Sequence, residues 1–149
     1  MSIDGFVKIP DIPGESTRKG HEDEIEIHSM SFGMGAPYDR GGSTGRGRVD
    51  FDMVVVSKYY DRSSPPLKGA LATNQRLREV VLSVRRTVEG ETRDYLVVTL
   101  DDVTVVKYDL APAQDRDDVL EERVGFAYRS VTFAYDGQYE VELEVRGAR

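Results

Sequence analysis

Apolar and polar side chains alternate residue by residue along most of this chain. Ile25 and Ile27 alternate with Glu24, Glu26 and His28, and Val49, Phe51, Met53 and Val55 alternate with Asp50 and Asp52. Val80, Leu82 and Val84 follow the same rule, then Leu96, Val98 and Leu100, then Val103 and Val105. Val124, Phe126 and Tyr128 lead on to Val131 and Phe133, and Val141, Leu143 and Val145 alternate with Glu140, Glu142 and Glu144. A period of two in β-branched and aromatic residues specifies antiparallel strands with one dry and one wet face. With the short Phe6–Ile9 run, about seven or eight strands are expected, and that number at this spacing predicts a two-sheet antiparallel β-barrel or sandwich.

One segment departs from the alternation. Ser63-Ser64-Pro65-Pro66 precedes Leu67, Ala70 and Leu71, which fall at i, i+3 and i+4. Ser64 can cap a helix, Pro suits its first turn, and Asn74 can end it. The spacing predicts one short helix over 65–74. Two loops stand out: the Gly-rich 33–47 stretch, too long for an ordinary hairpin connection, and the acidic 111–118 stretch.

The length of 149 residues fits one domain, 1–149, able to bury a core without staples. There is no Cys, so disulfides, Cys-held zinc, iron–sulfur clusters and thiol nucleophiles are excluded. The net charge of −7 argues against a nucleic-acid partner. No apolar run reaches the roughly 18 residues of a membrane span, and Phe6-Val7 beside Lys8 is no signal-peptide core. Assembly in the cytoplasm is expected, with any export independent of a cleavable signal.

Sites of chemistry are hard to find. GGSTGRGR lacks the Gly-Lys-Ser/Thr of a phosphate loop, and a strand follows it where a helix should begin. His21 and His28, the two histidines, sit an odd number of residues apart, so one strand face cannot present both to a metal. A solvated acidic strand edge is the expected setting for them. No Gly-x-Ser-x-Gly elbow is present. Asp101-Asp102 and Asp117-Asp118 are expected in turns, where Asp bonds its own backbone. No catalytic, cofactor-binding or metal-binding residue is assigned.

Charge is segregated. Arg40, Arg46 and Arg48 belong to or flank the Gly-rich loop, and Arg76, Arg78, Arg85, Arg86 and Arg93 cluster on the next long hairpin. Asp109, Asp115, Asp117, Asp118, Glu121 and Glu122 form an acidic group. Of the 20 cations 15 are Arg, whose planar fork suits ordered interfaces. Such segregation suits head-to-tail self-association. Candidate self-assembly residues are Tyr38, Arg40, Arg46 and Arg48 on one side, and Asp115, Asp117, Asp118 and Glu121 on the other.

The N-terminal residues carry a family resemblance. Phe6-Val7-Lys8-Ile9-Pro10-Asp11-Ile12-Pro13-Gly14-Glu15-Ser16, then His21, then Asp23-Glu24-Ile25-Glu26-Ile27, resembles the signature of haemolysin-coregulated proteins, Hcp, of type VI secretion systems. The Gly-rich loop and the segment Ser57-Lys58, Asp61 and Ser63-Ser64-Pro65-Pro66-Leu67 fit the same family. Arg18 departs from it, standing where members often carry Asp. The resemblance implies a small two-sheet barrel with one helix alongside. It implies six copies in a ring, rings stacked into a tube, and a sheath that drives the tube outward. It further implies effectors carried in the ring, a spike as partner, secretion without a signal peptide, and no catalytic site. The competing expectation is a monomeric β-sandwich that binds a ligand or carbohydrate on one face. An enzyme is not expected.

Overall fold

The computed structural model describes residues 2–37 and 49–145. Its elements in chain order are β1 (Asp4–Lys8), β2 (Ile25–Ile27), β3 (Ser29–Ser31), β4 (Met34–Gly35), β5 (Asp50–Phe51), β6 (Val54–Tyr59), α1 (Ser64–Ala72), β7 (Leu77–Val88), β8 (Glu91–Pro112), β9 (Leu120–Ala127), β10 (Ser130–Tyr135) and β11 (Tyr139–Glu144). Every strand pairing among the described residues is antiparallel, as the alternation predicts. The strands outnumber the expected seven or eight because β3, β4 and β5 are two or three residues long. Runs that short carry no period.

β8 organises the body. The sequence predicts a turn at Asp101-Asp102; instead a single strand of 22 residues runs through both. Asp102 takes a positive φ of 56° in mid-strand, which Asp tolerates better than most residues. A register shift follows between Val105 and Lys107. Bent there, β8 serves two sheets. Its first half lies between β7 and β10, in a layer ordered β2-β1-β7-β8-β10-β11. Its second half pairs with β9, in a layer ordered β8-β9-β6-β3. β2 and β3 are separated by His28 alone, whose N–H donates to Ser57 O and whose carbonyl accepts from Ile3 N–H. That corner joins the far ends of the layers.

Val7, Ile25, Val54, Val56, Leu82, Val98, Leu100, Val124, Phe126 and Val131 fill the space between the layers. α1 plugs one side with Leu67 and Ala70. Its start differs from expectation: Ser63 is the N-cap and makes no side-chain cap bond, while Ser64 lies inside the helix. The Ser64 hydroxyl is engaged elsewhere, accepting from Asp61 N–H and donating to Glu122. The end is as expected. Asn74 adopts φ 54°, Asn74 N–H donates to Leu71 O, and Gln75 N–H donates to Ala70 O. These two bonds form a Schellman terminus. Ala111 and Pro112, expected in a loop, extend β8.

Candidate assembly surfaces

Tyr38, Arg40, Arg46 and Arg48 lie outside the described residues. The Gly-rich segment is anchored at its base by the β4–β5 ribbon and by Asp52 N–H donating to Gly33 O.

The acidic candidates divide. Asp115, Asp117 and Asp118 sit exposed on the turn that joins β8 to β9. Asp115 accepts the Tyr59 hydroxyl proton at 2.6 Å. That bond holds the Asp115 carboxyl below its ordinary range and raises the Tyr59 hydroxyl. Arg116 lies 4.7 Å over the Tyr59 ring, which stacks on His28 at 4.5 Å. His28 Nε2 in turn contacts Glu121 at 2.5 Å. Tyr59 thereby fixes the acidic turn to β6. Glu121 is half-buried and engaged with His28, whereas Asp117 and Asp118 make no ion pair among the described residues.

Glu122 is not a surface residue. It is 0% exposed, and its carboxylate meets the ammonium of Lys58, which is 1% exposed. Lys58 Nζ also reaches Asp61 at 3.0 Å, Ser64 Oγ at 3.2 Å and Tyr59 O at 3.1 Å. Glu122 accepts from Ser64 at 2.7 Å and from the Tyr108 hydroxyl. Burial, followed by that bond, pushes the Tyr108 hydroxyl well above its ordinary value. The network ties β6, β8, β9 and α1 together with its lone pairs and protons matched. Charge patterning alone groups Glu122 with the exposed acids, although strand parity carries the signal. Lys58 shares a face with Val54 and Val56, and Glu122 with Val124 and Phe126.

The histidines are not on a solvated edge. His21 is buried, with Nδ1 2.8 Å from Glu24 and Nε2 3.0 Å from Asp94. Its ring stacks on Phe6 at 4.3 Å, and Arg18 and Arg85 flank the same Phe6. This cluster pins residues 10–24 across the outer face of β1 and β7. The Arg-rich hairpin is largely satisfied within the chain. Arg76 pairs with Asp102, Arg85 with Asp94, and Arg93 with Asp136. Arg86 lies 4.5 Å over the Tyr95 ring and bonds the Tyr135 hydroxyl.

Open surface lies at β10 and β11. Leu96, Phe133, Tyr135, Tyr139 and Val141 line a hollow of about 280 Å³. They extend the core face of the first sheet beyond the second. Tyr139 is 68% and Val141 49% exposed. Among the described residues, no three His, Asp or Glu side chains gather where one metal ion would sit.

The model of the family "Type VI secretion system effector, Hcp" matches residues 6–135. Protein hcp1 of Pseudomonas aeruginosa is 31% identical over 140 residues, covering 93% of this chain and 86% of that protein. The major exported protein of the same organism is 29% identical over 133 residues, covering 85% and 77%. The crystal structure of Hcp1 from Salmonella typhimurium superposes with a TM-score of 0.77 at 26% identity, over 95% of this chain and 93% of that one.

Proposed function

The chain belongs to the Hcp family of type VI secretion proteins, and from that membership we propose that it is a structural subunit of the secretion tube. In this reading six copies form a ring, rings stack into a tube, and the tube leaves the cell under the drive of a sheath, with a spike ahead and effectors inside. The observation that carries it is the family match over residues 6–135. The body supports it physically. Two sheets share one bent strand, and a matched ion-pair network joins three strands to the helix, which makes a rigid building block. The exported relative in Pseudomonas aeruginosa supports export of this chain as well.

For stacking, we keep the Gly-rich loop as the reaching element, with Arg46 and Arg48 meeting the turn that carries Asp115, Asp117 and Asp118 on a copy in the next ring. Glu122 drops out of that patch because it is buried. Exposed pairs contribute only about 0–1 kcal/mol each, so repetition around the ring must supply the effect.

Light scattering on a size-exclusion column, run up to millimolar protein, tests the ring. A species near six times 16.7 kDa is expected. A strict monomer at the highest concentration returns the protein to the monomeric binding-module reading. Electron microscopy then tests stacking: the double variant Arg46→Glu/Arg48→Glu should retain rings and lose tubes. Tubes of ordinary length from that variant would remove those two arginines from the contact.

A further inference from the structure

Residues 17–22 form a turn over the outer face of β1, and His21 is the one buried residue in it. Thr17, Arg18, Lys19, Gly20 and Glu22 are exposed. The backbone bonds of the turn are local, His21 N–H to Arg18 O and Glu24 N–H to His21 O. Side chains tie it to the body. The His21 ring lies parallel to the Phe6 ring at 4.3 Å and reaches Asp94 of β8. Arg18 pairs with Asp4 of β1 at 2.8 Å, and Arg85 of β7 donates to Lys19 O at 3.3 Å. Phe6, 0% exposed, lies beneath. A segment with one buried anchor opens more readily than the sheet under it.

The hold of that anchor depends on its proton. His21 Nδ1 lies 2.8 Å from Glu24, and Nε2 lies 3.1 and 3.0 Å from the two oxygens of Asp94. A carboxylate only accepts, and the neutral ring has one N–H and one lone pair. The neutral ring therefore satisfies one carboxylate and turns a lone pair on the other, whereas the imidazolium donates to both. The surrounding charges act in the same sense. The turn and its flank bring Glu24 and Arg18, β1 brings Asp4, β7 brings Arg85 and β8 brings Asp94. Three carboxylates thus face two guanidiniums, and a charged His21 completes the balance. Arg18 is committed to Asp4, and Arg85 Nε shares Asp94 at 3.3 Å. Both guanidiniums also lie against Phe6, at 5.7 and 5.2 Å from its centroid. Lys19 and Glu22 at the tip are exposed and opposite in sign, and Asp23 is paired with Arg62.

We infer that His21 is a proton-operated clasp: charged, it closes residues 17–22 over Phe6, and neutral, it lets that turn swing away while the sheet stays intact. The closed turn keeps the proton. The open turn, with its carboxylates in water, releases it. Closure is therefore strongest at the acid end and is lost as pH rises through the range of about 5 to 8 in which histidine changes charge. Opening uncovers an aromatic ring and the outer face of β1 and β7, so the surface the chain presents changes with pH. The clasp lies within one chain and does not depend on the ring reading.

Residue-resolved hydrogen exchange on the full chain, from about pH 5.5 to about pH 8.5, tests this, with each rate compared to the intrinsic rate at that pH. Protection of the His21 and Glu24 amides should fall about tenfold or more across the range, while Leu100 in β8 keeps its own. Nitrogen-15 shifts of the His21 ring should show both nitrogens protonated at the acid end. Asp94→Asn separates the clasp from simple packing. Its side chain keeps an oxygen for Arg85 and offers an N–H to the lone pair of a neutral His21 ring. In that variant the turn should stay closed at the alkaline end, and the fall in protection should disappear. Flat protection in the parent, a single protonated ring nitrogen at the acid end, or a parent-sized fall in Asp94→Asn each overturns the inference. If Asp94→Asn fails to fold, the parent's slope and ring shifts decide alone.

Discussion

At the scale of single residues, the buried Lys58–Glu122 pair separates what is costly to break from what is costly to remove. Lys58→Met strands a carboxylate that is 0% exposed and should destabilise the fold by about 3–5 kcal/mol in chemical denaturation. Lys58→Met/Glu122→Leu removes both charges and should lose less than Lys58→Met alone. A double variant that costs the sum of the two singles would show that the charges do not depend on each other. A second residue gives the chain a high-pH limit. Tyr128 is pushed up to about 12 by burial, with the nearby Asp52 adding to the effect, and its hydroxyl donates to Asp52 O at 2.8 Å. Its folded value lies above the ordinary 10.0, so the folded state keeps a proton that the unfolded chain gives up first. The stability from this group is complete below pH 10 and is lost between about pH 10 and 12, and Tyr108 acts in the same sense. Tyr128→Phe should flatten the fall of the melting temperature across that window. An unchanged slope would assign the loss to other groups.

At the scale of elements, what was legible in the sequence was whatever had a period long enough to see. β7, β9, β10 and β11 show it over three or more inward positions, β1 and β2 show it more briefly within the N-terminal motif, and α1 shows i, i+3, i+4 spacing with an Asn at its end. β8 is not legible as one strand because Asp101-Asp102 looks like a turn. The pair bends the strand without ending it, because cross-strand partners continue on both sides of it, from Leu100 with Val80 to Thr104 with Ala127. The acidic group was only half legible, since a Glu at an inward strand position looks in sequence like any other acid. Two glycines test the element boundaries. Gly69 lies exposed inside α1 with nothing within 4 Å of a built Cβ, so Gly69→Ala should stabilise the fold by about 0.5–1 kcal/mol. Gly14 packs so close to β2 that a Cβ would lie 2.4 Å from Glu24 O. Gly14→Ala should therefore force residues 10–24 off the sheet, lower the melting temperature and open His21 to solvent exchange. Thermal denaturation of the two variants should move in opposite directions.

At the scale of the whole molecule, the segregated charge has a different meaning in three dimensions. The Arg-bearing hairpin is mostly matched within the chain through Asp94, Asp102 and Asp136, and Glu122 is matched by Lys58. What stays unmatched among the described residues includes Glu140, Glu142 and Glu144 on one open edge, and Asp117 and Asp118 on one turn. The surplus of −7 is thus held partly on surfaces that a neighbouring copy can complete. In the proposed ring, stability is coupled to concentration, because the ring binds only folded chains and draws the unfolding equilibrium toward them. A tenfold rise in protein concentration contributes up to about 1.4 kcal/mol per subunit, or roughly 3 °C of melting temperature for a chain of this size. Scanning calorimetry from micromolar to millimolar protein should show that rise in the parent. A melting temperature that stays flat across that range would mean that folding is not coupled to assembly.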